Sequence, residues 1–255
     1  MKKPIVLLLM ILGLSLSVAS AWAGPKPDLL GFTLGMTSQE ALARAAALKL
    51  LVQDPANGGR ASVPGLPNSE HRYTLTLTEL GPQGSFTMAF SAPPEENRLI
   101  HVARLVDYKK NAPDAAPSAA DLKAALIGKF GKPTNRQMMT SNIERLTWYW
   151  AADGRLLTKE LGSSCRLLAD EFVRFIGTSP PTQQKEKLIR DGCALRVQAE
   201  VTAGPSGVVD VLSQRATDVA GGYRARSATY QAVQDFARRQ GDKDLQRAKQ
   251  RKPAI

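Results

Sequence analysis

Histidine and cysteine are scarce in this chain, two of each in 255 residues, and aromatic residues make up only 6%. The scarcity argues against a zinc site, which draws three or four ligands from His, Cys and carboxylates at workable spacings. His71 and His101 stand far apart, with no H-x-H or H-x-x-x-H pair between them. No metal and no other cofactor is expected. Nucleophilic catalysis is equally unsupported: Gly204-Pro205-Ser206-Gly207 lacks the G-x-S-x-G spacing of a nucleophile elbow and reads as a hairpin turn. GKFGKPT, Gly128 to Thr134, lacks the order of a phosphate loop, since here a helix runs into a proline. Glu95 and Glu96 fall in a polar loop, where solvation rather than acid catalysis is their role. No catalytic residue is assigned.

Long apolar runs are also few. The run Ile5 to Val18 follows Lys2 and Lys3 and precedes Ala21-Trp22-Ala23, a small-x-small pattern. Residues 1–23 therefore read as a cleaved export signal, with the mature chain starting at Gly24. The run is shorter than the roughly 20 residues of a membrane span, and no second one follows, so the exported product is expected to lack a transmembrane segment and to reside in the periplasm. No cysteine stands near the cleavage site for lipid attachment. In an oxidising compartment Cys165 and Cys193, which form no C-x-x-C, are expected to make one structural disulfide.

Acidic residues are outnumbered: 34 Lys and Arg against 23 Asp and Glu give +11, or +9 once Lys2 and Lys3 leave with the signal. Such an excess attracts anionic surfaces over about a Debye length. The compartment points to an envelope surface or an envelope protein and away from nucleic acid.

What is present reads as α+β, an antiparallel sheet of meander and hairpins with packed helices. In LGMTSQEALARAA, Leu34 to Ala46, a glycine and a hydroxyl residue precede a helix, a pattern shared by anion cradles and plain helix starts. Thr37 three residues before Glu40 is a capping box, and Ala41, Leu42, Ala45 and Leu48 follow at helical spacing, so the helix start is favoured. Beyond a loop at Asp54 to Ser69, HRYTLTLTEL alternates with Tyr73, Leu75 and Leu77 on one side. Gly81 to Gly84 turns the chain into Ser85 to Ser91, with Phe86, Met88 and Phe90 sharing a face. RLIHVARLVDY, with Ile100, Val102, Val106 and Tyr108 on one side, makes the third strand. Ser118 and Asp121 cap a second helix that Gly131 and Pro133 stop. Leu146, Trp148 and Trp150 alternate along another strand, with Asp153-Gly154 turning toward Leu157. Leu161 to Ile189, with Leu167, Leu168, Phe172, Phe175, Ile176 and Pro180-Pro181, fits helix and strand alike. CALRVQAEV places Cys193, Leu195, Val197, Ala199 and Val201 on one side, and a hairpin leads to Val208 to Leu212. No internal repeat shows, although each half sets a helix beside antiparallel strands.

From Gly221 and Gly222 a sparse helical stripe, Tyr223, Tyr230, Val233 and Phe236, runs through a basic segment. The expected organisation is a signal at 1–23, an α+β domain at 24–221 with a possible division near 110–117 or 155–165, and a basic helical tail at 222–255. Candidate binding residues are Trp148 and Trp150, whose ring faces suit sugars or peptides, and the tail cations Arg238, Arg239, Lys243, Arg247, Lys249, Arg251 and Lys252. Core packing is the favoured role for the tryptophans, and a solvated helical face for the tail.

Gly31, Gly35, Met36, Thr37 and Glu40, a G-x-x-x-GMT-x-x-E helix start, with Gly131 and Pro133 as a looser echo, resemble exported bacterial α+β proteins and, distantly, the SmpA/OmlA outer-membrane-assembly small lipoproteins. That resemblance covers about twenty residues. It implies a role at the outer membrane and a much shorter fold of two helices and three strands, and the family's lipid-bearing cysteine is missing here. The expected function is non-enzymatic binding to an envelope protein or anionic envelope surface. The alternatives are an inhibitor or immunity protein for an envelope-targeting enzyme, or a hydrolase of envelope polymers using His101 and the two tryptophans.

Overall fold

The computed structural model describes residues 27–53, 59–78, 84–159, 163–174, 180 and 182–250. The signal at 1–23, the turn residues 81–83, Phe175, Ile176, Pro181, Arg251 and Lys252 lie outside the described residues, as does the side chain of Phe172.

Capping chemistry sets the first helix. A two-residue ribbon, β1 (Asp28–Leu29) and β2 (Phe32–Thr33), leads into α1 (Ser38–Ala47). The Glu40 N–H donates to Thr37 Oγ1 at 3.2 Å, and the Glu40 carboxylate accepts from the Thr37 N–H at 2.6 Å. The helix thus carries its own anion at its N-terminus, and LGMTSQEALARAA is a helix start. Gly35, at φ 91°, turns its N–H onto the Leu99 carbonyl at 2.8 Å. Ala41 and Ala45 are buried by the sheet.

The chain continues through β3 (Leu51–Val52), β4 (Arg60–Ala61), β5 (His71–Arg72), β6 (Thr74–Thr78), β7 (Ser85–Phe90) and β8 (Leu99–Asp107). HRYTLTLTEL is therefore divided: β5 pairs with β4 in a small ribbon, and only β6 joins the main sheet. Tyr108 lies not in a strand but in the short α2 (Tyr108–Asn111), whose first turn is capped by Asp107. Then come α3 (Ala119–Phe130), β9 (Asn135–Met138), β10 (Ile143–Trp150), α4 (Ser163–Arg174), α5 (Gln183–Leu188), a π-helical turn at Ile189–Cys193, β11 (Leu195–Ala203), β12 (Val209–Asp218) and α6 (Val219–Gln250).

The main sheet is antiparallel throughout in the order β3-β6-β7-β8-β12-β11-β10-β9. This order is a duplication that no residue pattern discloses. A helix and four strands (α1, then β3, β6, β7, β8) are followed by a helix and four strands (α3, then β9, β10, β11, β12), and the last strands of both sets meet at the centre. The two helix caps make equivalent bridges to the residue preceding the fourth strand, Thr37 with Arg98 and Ser118 with Val208. The segments at 110–117 and 155–165 do not divide the sheet, since strands on either side of each pair within it. The units differ in their insertions: the β4–β5 ribbon in the first, α4 and α5 in the second.

One sheet face is apolar. Leu75, Leu77, Phe86, Met88, Val102, Leu146, Trp148, Trp150, Val197 and Leu212 pack beneath α1 and α3 in a single core. Glu144 joins α3 to the sheet edge: its carboxylate, only 5% exposed, accepts from Lys123 Nζ at 2.8 Å and from Arg136 Nε. These bonds, the Arg136 one above all, hold its carboxyl below the usual range.

A second, smaller core forms on the other face from Tyr149, Cys165, Leu168, Ala169, Ile189, Cys193, Val219 and Ala220. Leu195, Val197, Ala199 and Val201 face the first core as their alternation requires. Cys193 does not share that side, because it precedes the strand in the π-helical turn. Its disulfide with Cys165, at a Cα separation of 5.3 Å, ties α4 to the base of β11. Replacing both cysteines by serine is expected to lower the unfolding free energy by about 3–4 kcal/mol, the chain-entropy value for a loop of this length. Urea unfolding in the presence and absence of reductant checks it, and indistinguishable midpoints contradict it.

Helix α6 starts at Val219, before the glycines at 221 and 222, because the Asp218 carboxylate caps it by accepting the Gly221 N–H at 2.6 Å. Ala225 and Thr229 are buried, and Thr229 Oγ1 donates to the Pro93 carbonyl at 2.6 Å. The boundary expected at 222 thus falls inside a packed helix. Only from 237 to 250 is every residue exposed.

Candidate functional site

Alternation along the five strands β7, β8, β12, β11 and β10 puts a polar row opposite each apolar one. Three cross-strand rows result on the face away from α1 and α3. The first runs Ala89, His101, Thr217, Arg196, Tyr149; the second Thr87, Ala103, Arg215, Gln198, Thr147; the third Ser85, Leu105, Ser213, Glu200, Arg145. Side chains neighbouring within a row lie about 5 Å apart at Cβ. Helix α4 overhangs this surface with Arg166, Leu167, Asp170 and Glu171.

Two concavities result, of about 410 and 520 Å³, and they share Asp170, Arg196 and Arg215. They form one groove over the junction of the two units. Its electrostatics are ordered. Arg196, 7% exposed, donates to Asp170 Oδ1 at 2.8 Å and also to Gln198 Oε1. Gln198 Nε2 donates to Glu200 Oε1 at 2.7 Å, and that carboxylate also accepts from Arg145 Nε at 2.8 Å. Glu171 accepts from Lys185 and from Arg226 at 2.8 and 2.9 Å, so three elements converge on it.

His101 sits at the floor, 5% exposed, with Nδ1 2.8 Å from Thr217 Oγ1. Burial, reinforced by the Arg215 and Arg196 guanidiniums, pushes the imidazole down to about 3. A histidine, a hydroxyl and a carboxylate therefore do share this groove, a juxtaposition that the wide separation of these residues in sequence conceals. Their connections are not those of a nucleophile and its base. Asp170 is bonded to Arg196, Thr217 is 3% exposed, and an imidazole of such low basicity is a poor proton acceptor from a hydroxyl.

Of the two roles open to the tryptophans, core packing is the one they hold, and they drop out as candidate binding residues. Trp148 and Trp150 are 0% and 3% exposed, on the helix-covered face, where both ring systems meet Phe130 and Trp148 Nε1 donates to the Gly131 carbonyl at 2.8 Å. Central strands with a helix on that side leave no room for a sugar or peptide there. The tail cations Arg238, Arg239, Lys243, Arg247 and Lys249 are exposed, Arg238 paired with Asp235 and Arg247 with Asp244 within the helix. They line no part of the groove.

The groove residues Arg145, Arg166, Arg196 and Arg215 are absent from the expected site. A signal for three of them existed: R-x-Q-x-E at Arg196, Gln198 and Glu200, S-x-R-x-T at Ser213, Arg215 and Thr217, and R-x-T at Arg145 and Thr147. Polar residues at every second position of several strands mark a sheet with one open face. Among the described residues no group of His, Cys, Asp and Glu suited to a metal ion occurs, and no helix is long and apolar enough to cross a membrane. Comparison with protein-family models, with curated proteins and with solved structures finds no match.

Proposed function

We propose that the protein is a non-enzymatic binding protein of the bacterial envelope, and that its binding surface is the open polar face of the central sheet. One observation carries this reading: a groove lined by arginines from β10, β12, β11 and α4 lies over the junction of the two units, on the face that α1 and α3 leave uncovered. Specific interfaces are enriched in arginine around an apolar centre, and Leu105 and Leu167, 49% and 62% exposed, supply apolar surface here. An inhibitor or immunity protein is a narrower form of the same reading. The hydrolase alternative loses its aromatic platform, and His101 with a pKa near 3 does not suit base catalysis. The export signal, which places this binding in the periplasm, belongs to the same proposal.

The tail has a secondary, electrostatic part in it. Its all-exposed length, residues 237–250, makes a rod of about 21 Å at 1.5 Å per residue, with more basic than acidic groups. The test compares the chain from Gly24 with one that also lacks 237–255, for retention by envelope fractions and by phosphatidylglycerol vesicles, and for turnover of peptidoglycan and ester substrates. Deletion at 237 should leave the melting temperature unchanged and weaken vesicle retention severalfold at low salt, with the difference gone near 0.5 M salt, where the screening length falls to about 4 Å. Turnover that disappears in His101→Ala would overturn the binding reading.

A further inference from the structure

We infer that the groove receives an acidic segment of a partner protein and that Arg166 and Arg215 anchor two of its carboxylates, an inference that rests on the sheet face being the binding surface. The pairing of charges identifies the anchors. Asp170 holds Arg196, Glu200 holds Arg145, and Glu171 holds Lys185 and Arg226. Arg166 and Arg215 are exposed, line the same concavity, and make no ion pair or hydrogen bond among the described residues. Each presents a planar fork of donors that matches a carboxylate. In its row Arg215 stands between Ala103 and Gln198, a methyl and a neutral amide, so no acid stands directly opposite it, and Asp170 and Glu200, which line the same concavity, are bonded to Arg196 and Arg145.

A second, independent feature lies in the wall. The side chain of Arg196 is only 9% exposed and borders both concavities, yet its Nε has no hydrogen-bond partner. A buried guanidinium with an unsatisfied donor is costly, and an acceptor brought by an occupant of the groove would relieve that cost beside the Asp170 pair.

The chemistry of the occupant follows from what the groove also contains. Three fixed carboxylates alternate with the arginines, so a compact multiply charged anion, a phosphate or a lipid headgroup, would meet repulsion as well as attraction. Separate single charges on an extended chain can settle on Arg166 and Arg215 and avoid the acids. Leu105 at one end and Leu167 at the other offer apolar contacts that a small anion would leave unused. A peptide segment with two acidic residues and apolar neighbours satisfies both kinds of contact.

The probe is an array of decapeptides carrying two Asp or Glu residues at separations of one to five, among apolar residues, each with an Asn or Gln twin. The array is measured by fluorescence anisotropy against the full chain from Gly24. Acidic members are expected to bind at least tenfold more tightly than their twins, and Arg166→Gln with Arg215→Gln should remove that preference while leaving the melting temperature unchanged, both side chains being exposed. Deletion of 237–255 should not alter it. The inference is overturned if acidic peptides and twins bind alike, if the double variant keeps the preference, or if 10 mM inorganic phosphate or succinate displaces the peptides, which would assign the groove to a small anion. A partner retained from envelope fractions equally by wild type and double variant would also overturn it while leaving the binding function standing. Turnover of envelope polymers would strike the function itself.

Discussion

Trp148→Ala is expected to lower the unfolding free energy by about 3–5 kcal/mol, the range for truncating a large buried aromatic. The side chain has no exposed surface, stacks at a tilt on Phe130 with ring centroids 5.4 Å apart, and donates its indole N–H to the Gly131 carbonyl at 2.8 Å. Gly131, at φ 82°, ends α3, so the indole fixes the end of that helix to the centre of β10. Truncation opens a cavity between helix and sheet and strands a carbonyl at once. Trp148→Phe keeps most of the packing and loses the donor, and should cost about 1–3 kcal/mol. Urea unfolding measures both. A loss below about 1 kcal/mol for the alanine variant would return Trp148 to the surface role that its alternation with Tyr149 also allows.

Acid should weaken the fold well before its carboxylates titrate, and His101 is the reason. In the folded chain its imidazole remains neutral down to about 3, whereas in the unfolded chain it takes a proton near 6.5. Below 6.5 the unfolded state therefore binds a proton that the folded state refuses, and stability falls with pH until the folded value is reached. The full difference is about 5 kcal/mol, at about 1.4 kcal/mol per pH unit. Between pH 7.5 and 5, where most carboxylates are still ionised, about 2 kcal/mol should already be lost. The neighbours explain the direction: Arg215 and Arg196 oppose a third positive charge, and Asp170 favours it more weakly. His101→Gln can keep the contact with Thr217 and cannot titrate, so its stability should change little from pH 7.5 to 5. Parallel pH profiles of wild type and variant over that window would discount the buried imidazole.

Several parts of the fold were readable from short patterns because local chemistry decides them. Thr37 with Glu40 and Ser118 with Asp121 satisfy orphan amides within one helical turn, whatever the rest of the chain does. Leu75 and Leu77, Phe86 and Met88, and Val197 to Val201 alternate because a strand buries every second side chain. Asn135–Met138 carries no alternation because it is an edge strand whose side chains are mostly exposed, Met138 among them. Leu161 to Ile189 fits helix and strand alike because its apolar residues do not share one fate: Leu168 and Ile189 pack on the second core, whereas Leu167 is exposed, and the disulfide of Cys165 ties α4 to that core. The tryptophans were correctly put on one side of their strand, but which side faces a helix is a long-range matter.

The proposed binding surface divides in the same way. That Arg196, Gln198 and Glu200 point together, and that Ser213, Arg215 and Thr217 do, is dictated by the two-residue period of each strand. Their meeting with His101 from β8 and with Arg166 and Asp170 from α4 is not.

By itself the amino-acid order determined the α+β class, the helix caps, the alternation along most of the sheet strands and the excess of positive charge, which depend on composition and on residues close in the chain. Tertiary structure alone decided that the helix–strand unit occurs twice, that the tryptophans are interior, and that two arginines distant in sequence stand without acidic partners in one groove. Those outcomes depend on strand order and on which sheet face each helix covers, and contacts of that kind join segments whose separation along the chain carries no local signal.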